Sequence, residues 1–224
     1  MPRIPDETLR ALARTFVSQG QGYGFEFADY VRFVNVMLDE AMGARPVQGS
    51  ARATALPLVG ESVTIRALEP ADRACVLAWV TDPEGRYFLL SRSTGRRSDA
   101  AQLLDDPHNV FGVVTRPDGR PIGVIGYLDV DPAQGRGELR KLIGDPGERG
   151  KGRGTEAARL WVSYGVHRLK LRKILLYTLA ANQRNVQLNE RLGFRVEGVL
   201  RDEVVIDGTP HDLLRMGRVE PVGT

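Results

Sequence analysis

Between Glu148 and Ala157 the sequence reads ERGKGRGTEA. Gly150, Gly152 and Gly154 alternate with Arg149, Lys151 and Arg153, and Thr155 opens a helical pattern. Glycine lets backbone N–H groups approach a ligand closely, and a helix N-terminus adds unpaired N–H groups at the positive end of the helix dipole. Such a loop binds anions, and a pyrophosphate suits its span. The charge distribution agrees. Residues 140–173 hold ten Lys or Arg against three acids, an excess that centres on the loop and points to a compact polyanion rather than a long charged face. Standing alone, the loop reads equally well as a glycine-rich turn with incidental cations.

Two phosphate motifs fail here. A P-loop ends G-K-[ST], but Gly150-Lys151 is followed by Gly152, and the position five before Gly150 is Asp145. Gly152 to Ala157 matches G-x-G-x-x-A, yet a dinucleotide site also needs an acid beyond the next strand to hold a ribose. That strand, KILLYTL, runs into AANQRN, which has none.

Around the loop the elements alternate. Apolar and β-branched runs predict strands at 62–67, 110–115, 121–130, 138–143, 173–179, 194–199, 203–206 and 212–219, with hairpin turns at PDG (117–119) and DG (207–208). Helical spacing predicts helices at 70–80, 98–105, 155–169 and 184–192. The class is α+β with a largely antiparallel sheet. Ahead of it, residues 6–19 form an amphipathic helix with Asp6 as its cap, and 27–42 a helix apolar on nearly every face. These two helices either dock on the chain's own core or present a homodimer or partner surface. ARPVQGSARATALP (44–57) has linker composition, which divides the chain into a helical extension (1–57) and a main domain (58–224).

Composition bounds the rest. No window approaches the unbroken apolar run of a membrane span, and the start MPRIPDETL lacks that of a secretion signal. The single Cys75 excludes an internal disulfide and fits a reducing cytoplasm. His108, His167 and His211 are scattered, so no metal site is expected. Nucleic acid is a poor partner, because no aromatic residues interleave with the basic patch.

Arg149 to Gly154 fits the R/Q-x-x-G-x-G/A loop of the GNAT family of acetyl-CoA-dependent N-acetyltransferases. Asn182 to Phe194, NQRNVQLNERLGF, resembles the family's second signature, an asparagine leading a helix that ends in LGF. GVLRDEVVIDGTPHDLLRM (198–216) is similar to the closing hairpin of the branch holding ribosomal-protein N-terminal acetyltransferases and spermidine acetyltransferases. The resemblance implies a GNAT-like twisted, mixed, mostly antiparallel sheet of about seven strands flanked by helices, and it covers 61–219 but not the extension. It gives the loop an owner, the pyrophosphate of coenzyme A. Backbone N–H groups of Gly150, Gly152, Gly154 and Thr155 would hold it, with charge from Arg149, Lys151 and Arg153. The pantetheine arm would lie where the strand ending at Ile143 splays from the strand at 174–179, in contact with Asn182 and Asn185. Asn182 also reads as a helix N-cap.

The implied reaction is attack of a neutral amine on a thioester, which requires removing a proton, stabilising an oxyanion and releasing a thiolate. Glu138, eleven residues before Arg149, matches the glutamate that some family members use as general base; it reads equally as an exposed strand carboxylate or an ion pair with Arg140 or Lys141. A backbone N–H near Leu142 or Ile143 would serve the oxyanion. Asn189 departs from the family, which often places there a tyrosine that protonates the thiolate. Tyr164 and Tyr177 are the substitutes on offer, with packing as their other reading. An alkyl thiol pKa of about 8.5 also makes unaided departure tolerable. The alternative to an enzyme is a non-catalytic acyl-CoA-binding or assembly module using the N-terminal helices.

Overall fold

The computed structural model describes residues 5–25, 30, 33, 34, 37, 56–82 and 100–220. Residues 1–46 and 47–224 form two compact units. In the first, helix α1 spans Asp6–Gly22; its cap is Pro5, with no side-chain hydrogen bond, so Asp6 lies inside the first turn instead of capping it. Phe16 on α1 stacks on Phe33 at 4.0 Å and meets Tyr30 edge-on at 5.8 Å. Tyr30 donates to the Val17 carbonyl at 2.9 Å, and its ring lies where a Cβ on Gly20 would stand. Most of the expected 27–42 helix lies outside the described residues, but Tyr30, Phe33, Val34 and Met37 are helical. Residues 44–55 of the expected linker also lie outside them.

Among the described residues the second unit is built on one eight-stranded sheet in the order β1-β2-β3-β4-β5-β6-β8-β7. Its strands are β1 (Leu58–Val59), β2 (Thr64–Ala67), β3 (Val110–Thr115), β4 (Pro121–Asp131), β5 (Arg136–Ile143), β6 (Lys173–Leu179), β7 (Arg195–Ile206) and β8 (Thr209–Val219). Every pairing is antiparallel except β5 with β6. Helices α2 (Arg73–Thr81), α3 (Ala100–Asp105), α4 (Arg153–His167) and α5 (Gln183–Arg191) cover its faces.

Strand alternation sorts the core into two layers. On one face Ile125, Tyr127 and Leu139 pack with Trp161 and Ala158 of α4 and Val186 of α5. On the other, Val124, Leu128 and Phe111 pack with Val76 and Val80 of α2 and Leu103 of α3. Tyr127 ties sheet to helix: its ring stacks on Trp161 at 5.8 Å and its hydroxyl donates to the Trp161 carbonyl at 3.0 Å. The Trp79 ring of α2 occupies the space that a side chain on Gly144 would need, so α2 packs closely against the end of β5.

Candidate active site

The parallel pairing of β5 with β6 lasts for three residue pairs, Arg136↔Lys173, Gly137↔Ile174 and Glu138↔Leu175. Beyond Glu138, β5 continues on β4 as far as Ile143, while β6 continues on β8 to Leu179. The two strands part, and a cavity of about 440 Å³ opens between them, lined by Leu142 and Ile143 on one wall and Thr178 and Leu179 on the other. Along that stretch, the backbone groups of β5 that point away from β4 face the cleft instead of a neighbouring strand.

The glycine loop closes one end. Arg149 turns its guanidinium back onto the end of β5, with Nε donating to the Ile143 carbonyl at 2.9 Å and Nη2 to that of Gly144 at 3.1 Å. Gly150 and Gly152 have φ of 78° and 82°. A Cβ on Gly152 would meet nothing within 4 Å, so the left-handed backbone and not crowding demands glycine there. Gly152 caps α4, which therefore begins at Arg153, two residues ahead of the expected Thr155. The Thr155 N–H donates to the Gly152 carbonyl at 3.0 Å and belongs to the first turn of α4. The N–H groups at Arg153 and Gly154 begin the helix, where no carbonyl one turn earlier is available to them.

The loop cations are partly balanced from within. Glu148 is buried, and Lys151 Nζ stands 3.3 Å from its Oε2 while Arg153 contacts the same oxygen. Arg116 approaches its Oε1 at 3.6 Å. Arg184, to which sequence reasoning gave no role of its own, lines the cavity and brings Nη2 to 4.0 Å from where a Gly150 Cβ would stand. Glu156, one turn into α4, faces elsewhere: it accepts from the backbone and hydroxyl of Ser62 and from the Glu61 N–H. Burial works against its charge, but the hydrogen bonds from Ser62 and Glu61 outweigh it and hold the carboxyl below the usual range.

Asn182 and Asn185 meet at the mouth of α5. The Asn182 side chain caps the helix by accepting from the Asn185 N–H at 3.1 Å, and Asn185 Nδ2 donates to Thr178 Oγ1 at 2.9 Å. Both asparagines line the cavity.

The two faces of β5 then separate the titratable groups. Glu138 pairs in register with Leu128 and Arg140 with Gly126, which turns both toward the α2/α3 side, where they form an ion pair at 2.5 Å. Lys141 pairs with Ile125 and points to the α4/α5 side. There its Nζ donates to Asn189 Oδ1 at 2.6 Å, and Asn189, wholly buried, contacts Met216 Sδ at 3.8 Å through Nδ2. Lys141 keeps some accessible surface along the cavity wall, but its ammonium lies deep. Desolvation, with the nearby Arg140 charge, lowers its pKa to about 7. Sequence reasoning met Lys141 only as a partner for Glu138. Its signal was a lysine on the core-facing register of a strand.

Of the two substitute tyrosines, Tyr177 lines the cavity. Tyr164 is buried on α4 and stacks on Trp161 at 4.9 Å, so it belongs to the core. Among the described residues no cluster of His, Cys, Asp or Glu could hold a metal ion, and no helix is long and apolar enough to cross a membrane.

Residues 62–195 match the family described as Acetyltransferase (GNAT) domain. A probable N-acetyltransferase of Bacillus subtilis, YjcK, is 33% identical over 131 residues, 56% of this chain and 70% of that protein. A spermidine N(1)-acetyltransferase of Escherichia coli is 33% identical over 103 residues, 46% of this chain and 55% of the enzyme's length. Among solved structures, a spermidine N-acetyltransferase from Vibrio cholerae in complex with CoA and spermine superimposes with a TM-score of 0.63 at 24% identity, covering 71% of this chain and 96% of that one.

Proposed function

We infer that this chain, which belongs to the GNAT acetyltransferase family, transfers the acetyl group of acetyl-CoA to an α-amino group, with the thioester seated between the parted ends of β5 and β6. Family membership carries acetyl transfer to an amine. The observation that supports the seat is the ladder ending at Glu138↔Leu175 in front of a cavity that runs to the glycine loop. In this reading the loop at Gly150, Gly152 and Gly154 takes the pyrophosphate, with Arg149 and Arg184 beside it. Asn182 and Asn185 flank the arm, and a backbone N–H at Leu142 or Ile143 receives the developing oxyanion. Residues 58–224 make up the catalytic domain.

The charge around the cavity supports the acceptor class. Arg140, Lys141, Arg149 and Arg184 line it, and no carboxylate is among its described lining residues. Glu138 is engaged by Arg140. A polyamine brings several positive charges into that field. An α-amine, with a pKa of about 7.7 to 8, is partly neutral at pH 7 and asks little of a general base. Glu138, working through water, would then assist the protonated fraction.

Thiol release from acetyl-CoA, measured with peptides bearing free N-termini and with spermidine, tests the reading. Faster turnover with spermidine sinks the acceptor class. CoA binding without thiol release from any amine sinks acetyl transfer and leaves an acyl-CoA-binding module.

A further inference from the structure

A proton delivered to the sulfur eases release of a thiolate, and the α4/α5 side of the cleft holds an uncommon candidate donor. A lysine ammonium set deep in a fold is normally matched by a carboxylate, because an uncompensated buried charge is expensive. Lys141 lines the cavity and is matched by a neutral amide instead: its Nζ donates to Oδ1 of Asn189 on α5 at 2.6 Å. The charged or titratable groups around the same cavity are Arg140 on its own strand, Arg149 ahead of α4, Arg184 on α5 and Tyr177 on β6. The lining contributed by β4, α4 and β8 is apolar. Its surroundings thus favour the neutral amine and make the ammonium a ready proton donor.

We propose that Lys141 is the catalytic residue that protonates the leaving thiolate, positioned for it by Asn189. The assignment rests on the acetyl-transfer reading above. The amine nitrogen bonds to the thioester carbon and the C–S bond breaks with its electron pair on sulfur. A proton passes from Lys141 Nζ to that sulfur, so the free thiol departs. The surplus proton on nitrogen leaves on the opposite face of β5, where Glu138 lies, and Lys141 is recharged from solvent. With Lys141 near pH 7 and an alkyl thiol near 8.5, the transfer runs downhill. Asn189 lacks an acidic proton of its own; holding Lys141 gives that position one.

The test is the pH profile of kcat from pH 6 to 9.5 for the wild type, Lys141→Met and Lys141→Arg, with acetyl-CoA and an acceptor peptide, alongside calorimetric CoA binding. The wild-type kcat should fall on the alkaline side as Lys141 loses its proton. Lys141→Met should lose about a hundredfold in kcat at pH 7, as removal of a general acid does, show no alkaline fall, and keep its affinity for CoA. Lys141→Arg keeps the cation without a usable proton; it should also be slow and lack the alkaline fall, and it serves if the methionine variant does not fold. Full activity in Lys141→Arg would show that charge alone suffices and overturn the proposal. So would an alkaline fall that survives in Lys141→Met. A wild type that releases no thiol with any amine overturns acetyl transfer itself, and this assignment with it.

Discussion

Glu138 Oε1 and Arg140 Nη2 meet at 2.5 Å on one face of β5, with only 5% and 4% of the two residues exposed. The carboxylate that sequence reasoning offered as a base is thus also half of a buried pair, and the two roles can be measured apart. Removing one partner of a buried pair strands the other charge, so Glu138→Ala should lower stability by about 3 to 5 kcal/mol in urea unfolding. Glu138→Gln combined with Arg140→Gln should recover most of that loss. If turnover stays low in the double variant, and Glu138→Gln alone slows the reaction most below pH 8, the carboxylate acts in the chemistry. A rate effect that does not vary with pH removes it.

Gly152 lies at φ 82° with open space around it. Alanine there should cost about 1 kcal/mol through backbone strain alone and leave CoA binding near its wild-type strength. Aspartate adds a negative charge where the pyrophosphate is expected, and its CoA dissociation constant by calorimetry should rise at least about tenfold, or about 1.4 kcal/mol. Unchanged affinity would take the loop out of the binding site.

Lys141 makes stability depend on alkaline pH in an unusual direction. Its pKa falls from 10.5 to about 7 on folding, so between those values the unfolded chain binds more protons than the folded one. Stability from this group therefore rises with pH across that window, and the penalty for its buried charge is fully present below pH 7. Relative to Lys141→Met, the wild type should gain up to about 1.4 kcal/mol per pH unit between pH 7.5 and 9.5 in denaturant unfolding. A difference that stays constant with pH would place the ammonium in contact with solvent.

Glu156 works in the other direction. Its carboxyl is held below the usual range by Ser62 and Glu61, so its contribution is complete above the ordinary carboxylate pKa and is lost as pH falls through the lower folded value. Glu156→Gln should cost about 1 kcal/mol at neutral pH and less near pH 2. Thermal unfolding at the two pH values reads this directly.

Where an element announces itself by periodicity, the sequence and the structure agree. Val110–Thr115 and Lys173–Leu179 fall at the expected bounds, because both are continuous β-branched and leucine-rich runs. The sequence predicts two strands, 194–199 and 203–206, where β7 runs, because the charged Arg201 and Asp202 interrupt its apolar pattern. In the structure the chain passes through them with a register shift, Asp202 at φ 48°, and stays paired to β8. β1 is two residues long, too short for any period to register, and it brings the strands to eight. α4 starts early because Gly152, left-handed at φ 82°, is its N-cap, which leaves Arg153 and Gly154 in the first turn despite the poor helix propensity of glycine. The glycine loop and the Asn182 cap were legible because each is a local pattern. The partnership of Lys141 with Asn189 spans 48 positions in the chain, and no local rule reaches that far.

Three residue pairs join β5 to β6, so in mechanical terms this short ladder would act as a hinge between two leaves, strands β1 to β5 on one side and β6 to β8 on the other. α4 and α5 brace the leaves from one face. Separation of the leaves would begin at the open end, between Ile143 and Leu179, and would stop at Glu138. A substrate lodged in that wedge would clamp both leaves at the point where leverage on the hinge is greatest.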